Sequence, residues 1–380
     1  MEVDADGLPL LTECQKHSFE DMYTAPEVAS AFASLYKNED GLMDKLFAYW
    51  SIVSEKFSKN PNVIGYDIFN EPWPANMYHD SSLFDHPDKF DKEILFPMAQ
   101  KANKVVREKD SEKAIFFEGA QFPDTQPFFG GKTFPLGFPE TPGGDAEVNR
   151  QVLNDHTYCC QAAGSMCESG EPPIKKEKEC RKFHAQKVEQ RAMDAERYHV
   201  PLLFSEFGAC FDGQECANEI NSSTDAFDDH LASWSYWMYK SFSDFTTTGG
   251  TREGMFNSDG TPQALKLQAI ARTYAYAFQG RPTDMHFSRE DGSFHTRFIL
   301  DTDVKEPTEI YVNKQIWYPN GFTTKATDDT GKEYDEFNFV TKDGENYLSV
   351  ELAASNAMLA ELDGANINIT IRPNSASNFT

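Results

Sequence analysis

A parallel (β/α)8 barrel, represented by about five of its eight strands and followed by an antiparallel β-sandwich, is the architecture this sequence predicts. Three observations carry that reading. Up to residue 279, short apolar runs alternate with longer stretches of helical periodicity. The polar, chemistry-bearing residues collect directly after the apolar runs, as they do at the open end of a parallel barrel. Beyond residue 280 the texture changes to short alternating segments divided by Asp-Gly and Pro-Asn-Gly turns. The expected domains are therefore 1–279 and 280–380.

Residues near 39–58 carry Leu42, Leu46, Phe47, Trp50, Val53 and Phe57 at helical spacing, and the strand-like 63–69 follows. A mixed stretch at 86–108, with Ile94, Met98, Ala99 and Val105, leads to the short run Ala114-Ile-Phe-Phe117. A Gly/Pro/Phe-rich loop at 119–150 precedes the strand Gln151–Tyr158. The charged helix at 174–198 leads to strand 201–206, the helix at 214–230 leads to Ala232–Tyr239, and an amphipathic run at 262–278 closes the series. That gives strands four to eight. Ahead of residue 39 the only apolar run is Gly7-Leu-Pro-Leu-Leu11, so an N-terminally truncated barrel is expected. The sandwich would comprise 294–300, 309–312, 334–340, 347–352 and 367–371.

Composition narrows the function classes. With 61 acidic against 35 basic residues the formal charge is −26, which disfavours nucleic acid and anionic membrane surfaces as partners. No apolar run approaches the length of a membrane span, and Met1-Glu-Val-Asp-Ala-Asp6 does not read as a signal peptide. Cys159, Cys160, Cys167 and Cys180 cluster, and Cys210 and Cys216 bracket a short loop; neither spacing suits zinc, and disulfides are the better reading. Sequons at Asn221, Asn368 and Asn378 agree with an oxidising secretory route, so an extracellular or luminal location is expected, the signal peptide lost with the upstream segment. With no metal-ligand spacing and no phosphate loop, neither metal nor other cofactor is expected.

Two glutamates close apolar runs: Glu71 in Val63-Ile-Gly-Tyr-Asp-Ile-Phe-Asn-Glu-Pro72, and Glu206 in Pro201-Leu-Leu-Phe-Ser-Glu-Phe-Gly208. Carboxyl groups held rigidly at strand exits suit acid/base and nucleophilic work at a sugar carbon. Glu118, Asp155 and Asp244 are read instead as subsite contacts or solvated loop acids. Phe122, Phe128, Phe129, Phe134 and Phe138 crowd one loop, which could cradle a lipid chain or pack on itself.

Asn70-Glu71-Pro72, His156-Thr-Tyr158, Ser205-Glu206-Phe207-Gly208 and Ala232-Ser-Trp-Ser-Tyr-Trp-Met-Tyr239, in this order, resemble glycoside hydrolase family 5. Trp234–Thr247, Glu253-Gly-Met-Phe-Asn-Ser-Asp-Gly260 and Arg272-Thr-Tyr-Ala-Tyr276 are similar to its endoglycoceramidase branch, whose barrel also precedes a β-sandwich. The resemblance implies retaining cleavage of the β-glucosyl bond between oligosaccharide and ceramide, with a glycosphingolipid at a membrane or micelle surface as substrate. It casts Glu206 as nucleophile and Glu71 as acid/base, the charge of the first keeping a proton on the second. Asn70 is expected to donate to the sugar 2-hydroxyl, and the resemblance implies that His156 and Tyr158 face the site with the Tyr158 hydroxyl on Glu206. Strand alternation puts Ser235, Trp237 and Tyr239 on one face, and Trp237, nearer the open end, is the expected platform for the sugar, with core packing the reading for Trp234. Another family 5 β-glycanase or glucosylceramide hydrolase, and an inactive glycan- or lipid-binding protein, are the alternatives.

Overall fold

The computed structural model describes residues 3–5, 7, 10–14, 16, 25–121, 125–126, 132–159, 173–240 and 253–374. Within them, β1 (Gly65–Asp67), β2 (Ala114–Phe117), β3 (Gln151–Thr157), β4 (Leu202–Phe207) and β5 (Ser233–Trp234) form one sheet in chain order, every neighbouring pair parallel. Parallel neighbours require long crossovers, and helices supply most of each one. Ahead of the sheet stand α1 (Pro26–Tyr36) and α2 (Leu42–Phe57); α3 (Phe96–Arg107), α4 (Glu177–Tyr198) and α5 (Gln214–Asp229) lie between the strands. The five strands make an open arc of barrel wall.

Each element follows from its sequence. In α2, Leu46, Phe47, Trp50 and Val53 share the face turned toward the core, and Trp50 Nε1 reaches the Ile68 carbonyl at 3.0 Å. The Tyr36 hydroxyl at the end of α1 likewise donates to the Trp73 carbonyl at 2.9 Å. These two aromatic donors satisfy main-chain acceptors just beyond β1, where an edge strand has no further ladder to offer. The helical stretch before β2 is interrupted by a π turn at Asp91–Leu95, and Asp91 is buried there. Its carboxylate accepts the amides of Ala120 and Gly137, pinning the loop that follows β2.

The barrel core is aromatic. Phe204 and Phe207 on β4 meet Phe227 of α5 at ring distances of 4.8 and 5.2 Å, and Trp234 packs edge-on to Phe207 at 5.5 Å. Two disulfides, Cys159–Cys180 and Cys210–Cys216, staple the chain just past the ends of β3 and β4; Cys160 and Cys167 lie outside the described residues. No helix among the described residues is long and apolar enough to cross a membrane.

The amphipathic run expected over 262–278 resolves into two elements. Helix α6 (Ala264–Ile270) stops early, and Tyr274–Ala277 is a strand, β6, paired antiparallel with β9 (Thr308–Tyr311). The reason is local: Tyr-Ala-Tyr-Ala has the two-residue period of a strand, not the helical one. The sandwich consists of two four-stranded sheets. One runs β10 (Phe322–Thr327), β13 (Asn366–Pro373), β8 (Phe294–Leu300), β7 (Gly280–Phe287); the other runs β11 (Phe337–Thr341), β12 (Tyr347–Leu352), β9, β6. Phe287, Phe298, Ile310, Leu348, Val350, Ile367 and Ile369 fill the space between.

The two halves are joined through α5. Asp225 takes Arg181 of α4 at 2.8 Å and Arg289 of the sandwich at 2.9 Å, while buried Arg272 pairs with buried Asp228. Asn221 is itself buried within α5, so this sequon offers no surface for a glycan in the folded chain.

Candidate active site

The C-terminal ends of the parallel strands bring four of the expected residues together. Glu71 lies just beyond β1, His156 within β3, Tyr158 one residue past β3, and Glu206 near the end of β4. One side-chain atom each from Glu71, His156 and Glu206 lie within 4.8 Å of one another. His156 Nδ1 meets Glu71 Oε1 at 2.8 Å and lies 3.7 Å from Glu206 Oε2. The Tyr158 hydroxyl donates to Glu206 Oε2 at 2.9 Å. A register shift between Asp155 and His156, in the pairing of β3 with β4, sets the phase in which His156 points inward.

Trp237 belongs to the continuation of β5. Its N–H donates to Phe207 O at 3.0 Å and its carbonyl accepts Ala209 N–H at 2.7 Å, so its backbone is bound to the strand that carries Glu206. The peptide from Trp237 to Met238 is cis. Gly208, at φ 98°, lets the Tyr236 ring lie against the turn: a Cβ there would stand 2.2 Å from a ring carbon. Asn70 is exposed beside Glu71.

Below these residues lies a layer that the sequence reading missed. Asn154 Nδ2 has three acceptors within 3.0 Å: Asp67 Oδ2, Glu118 Oε1 and Ser205 Oγ. Ser205 Oγ also meets His156 Nε2 at 3.0 Å, and Glu118 Oε2 accepts the main-chain N–H of Glu71 at 3.0 Å. Glu118 is thus a buried acid, not a solvated loop residue. Asp155 is no loop acid either: it is buried, ion-paired with Lys187 at 3.3 Å and Arg191 at 3.0 Å. Asp244 lies outside the described residues. Behind the strand, Thr157, His184 and Glu219 form a fully enclosed chain with hydrogen bonds of 2.8 and 2.7 Å. The available signal was a polar residue inside an apolar strand, as with Asp67 and Asn154.

Electrostatics follow from crowding several carboxyls around one imidazole. Burial works against charge on His156, but Glu118, Glu71 and Glu206 outweigh it and push the imidazole up to about 10. Burial raises the Glu206 carboxyl, against the opposing pull of His156 and with some repulsion from Glu71. Burial, then the charge of Glu206, holds the Tyr158 phenol far up, which keeps it a neutral donor. Glu118 is raised strongly, by burial first, against the pull of His156 and with the repulsion of Asp67 added. Three donor groups this close could also hold a divalent cation. However, Glu71 already meets His156 at 2.8 Å and Glu206 meets Tyr158 at 2.9 Å, an arrangement suited to proton transfer and attack at carbon.

Paired carboxyls across the mouth of a parallel strand array are the arrangement on which barrel glycosidases are built. Residues 18–243 match the family described as cellulase (glycosyl hydrolase family 5), and residues 272–358 match the glycoside hydrolase family 5 C-terminal domain. The chain belongs to glycoside hydrolase family 5.

Its relatives include the endoglycoceramidases of Cyanea nozakii and Hydra vulgaris. Each is 30% identical over 83% of this chain, which spans 58% and 54% of their respective lengths. Endo-glycoceramidase II from Rhodococcus sp. has the same fold. Its lactosyl-enzyme intermediate superposes with a TM-score of 0.70 at 19% identity, over 94% of this chain and 70% of that one. Its ganglioside GM3 complex gives 0.69 at 19% identity, over 93% and 69%.

Proposed function

We propose that the protein is a retaining glycosidase that cleaves the β-glucosyl bond between oligosaccharide and ceramide in glycosphingolipids. The observation that carries this reading is the approach of Glu71 and Glu206 oxygens within 4.8 Å, in keeping with direct double displacement and short of the wider separation by which inverting enzymes admit a water beside the sugar. Similarity to endoglycoceramidases supports the choice of aglycone.

In the first step Glu206 attacks the anomeric carbon and Glu71 gives its proton to the departing ceramide oxygen. The product is a glycosyl ester on Glu206 and free ceramide. In the second step Glu71, now a carboxylate, takes a proton from water, whose oxygen replaces Glu206 at the same carbon. Tyr158 holds the Glu206 oxygen aimed at that carbon, and His156 orients Glu71. Asn70 donates to the sugar 2-hydroxyl, and the Trp237 ring is the platform beneath the sugar. We assign residues up to about 279 to the catalytic part and the remainder to the sandwich, with β6 contributed from the catalytic side. The two disulfides support an extracellular or luminal site of action, with lipid presented at a membrane or micelle surface.

The test is the product set. Purified protein incubated with lactosylceramide should release lactose and ceramide, and proton NMR should show the β-anomer of the sugar first. Fragments from cellulose or mannan with lactosylceramide untouched would move the assignment to a β-glycanase. Binding of lactosylceramide without any cleavage would make the protein a lectin-like binder.

A further inference from the structure

Beneath Glu71 and Glu206 lies a second pair of acids, Glu118 and Asp67, to which the two proposed steps assign no part. Glu118, the residue directly after β2, is enclosed, and its two oxygens face different partners. Oε2 accepts the main-chain N–H of Glu71 at 3.0 Å, and Oε1 accepts Asn154 Nδ2 at 3.0 Å. Asp67, the last residue of β1, accepts the same Asn154 Nδ2 at 2.8 Å, so one amide group ties the two carboxyls together. Burial raises both carboxyls, and at Glu118 the repulsion of Asp67 adds to it against the pull of His156.

The backbone of Glu71 shows why such a brace is needed. Its φ is 45°, in the left-handed region that a glutamate occupies only where the surroundings fix it. The amide of that same residue is the one Glu118 holds. His156 Nε2 lies 3.7 Å from Glu118 Oε1, and its Nδ1 meets the Glu71 carboxyl at 2.8 Å. Glu118 therefore touches both the main chain and, through one ring, the side chain of Glu71.

Resting on the reading of Glu71 as acid/base, we propose that Glu118, held in place by Asn154, is the positioning residue that fixes Glu71 toward the leaving-group oxygen. Without the Glu118 acceptor the Glu71 backbone relaxes, and protonation of a poor leaving group suffers. Attack by Glu206 does not depend on that contact. A glutamine at 118 keeps an oxygen for the Glu71 amide; its NH2 then stands where Oε1 accepts Asn154 Nδ2, which retains Asp67 and Ser205 as acceptors, so the contact with Glu71 is kept and the titratable group removed.

The whole protein and its Glu118→Ala and Glu118→Gln variants are compared on lactosylceramide and on dinitrophenyl β-lactoside, whose phenolate departs without an acid. Where the alanine variant does not fold, Glu118→Met fills the volume without supplying an acceptor. The expected result for Ala or Met is a kcat on lactosylceramide lower by roughly 10²-fold. The first turnover of the aryl lactoside stays within about threefold of wild type, and azide restores its steady-state rate with β-lactosyl azide as product. The glutamine variant should stay near wild type on both substrates. Equal losses on both substrates in a folded alanine variant, no loss at all, or a glutamine variant as impaired as alanine each overturn the proposal. Wild type inert toward both substrates overturns the hydrolase reading itself and the proposal with it.

Discussion

Asn154 and Ser205 hydrogen-bond each other in both directions. Asn154 Nδ2 donates to Ser205 Oγ at 2.7 Å, and Ser205 N–H donates to Asn154 Oδ1 at 3.1 Å. This reciprocal clasp ties β3 to β4 beside the register shift that turns His156 inward, so the residues carrying the two halves of the site cannot slide relative to one another. Asn154→Leu removes both bonds and leaves the Ser205 amide unsatisfied. A stability loss of about 2–3 kcal/mol in urea unfolding is expected.

Tyr158→Phe deletes the 2.9 Å hydrogen bond to Glu206 and nothing else of its shape. Hydrogen bonds to charged groups are worth roughly 1.5–3 kcal/mol, so kcat/KM should fall about 10- to 100-fold with the fold intact. The carboxylate loses a group that favours its charged form and is already raised by burial, so the acid limb of the pH–kcat/KM profile should move to higher pH.

The His156 imidazole titrates at about 10 when folded, above its ordinary 6.5. A folded-state value raised in this way contributes stability that is complete below 6.5 and is lost as pH rises through 10. Unfolding free energy should therefore decline across that window, and the decline should be shallower in His156→Gln. Chemical denaturation at several pH values measures both slopes.

Gly208→Ala places a methyl carbon 2.2 Å from the Tyr236 ring at a φ of 98°. A loss of about 2–3 kcal/mol and a Tm lower by several degrees are expected by calorimetry.

Cys159→Ser with Cys180→Ser opens the covalent link across 21 residues next to Tyr158. Chain entropy assigns about 3 kcal/mol to a loop of this size, and thermal unfolding should show that loss.

Glu71 and Glu206 were legible because each ends a strand whose apolar run is visible locally, and each carries a short motif around it. The alternation of helix and strand was legible for the same reason. Glu118, Asn154 and Asp67 were not, because their importance comes from strands being neighbours at one particular register. Glu118 meets Glu71 across 47 residues of sequence, and no local pattern encodes that distance. Buried Asp155 misled for a related reason: Lys187 and Arg191, which neutralise it, sit on the following helix. The end of α6 was misplaced because Tyr274 and Tyr276 continue an apolar pattern that changes period without a proline or glycine to mark the change.

Asp228 is enclosed and answered by Arg272, while Asp225 alongside takes Arg289 from the turn between two sandwich strands. A protein engineer who cut the chain at residue 271 to obtain a smaller protein would delete both guanidinium groups, taking Arg272 from Asp228 and leaving Asp225 with Arg181 alone, on the helix that backs Phe204 and Phe207. Arg272 and Arg289 are in this sense counterions for the scaffold behind Glu206, and a minimal version of this protein has to keep them.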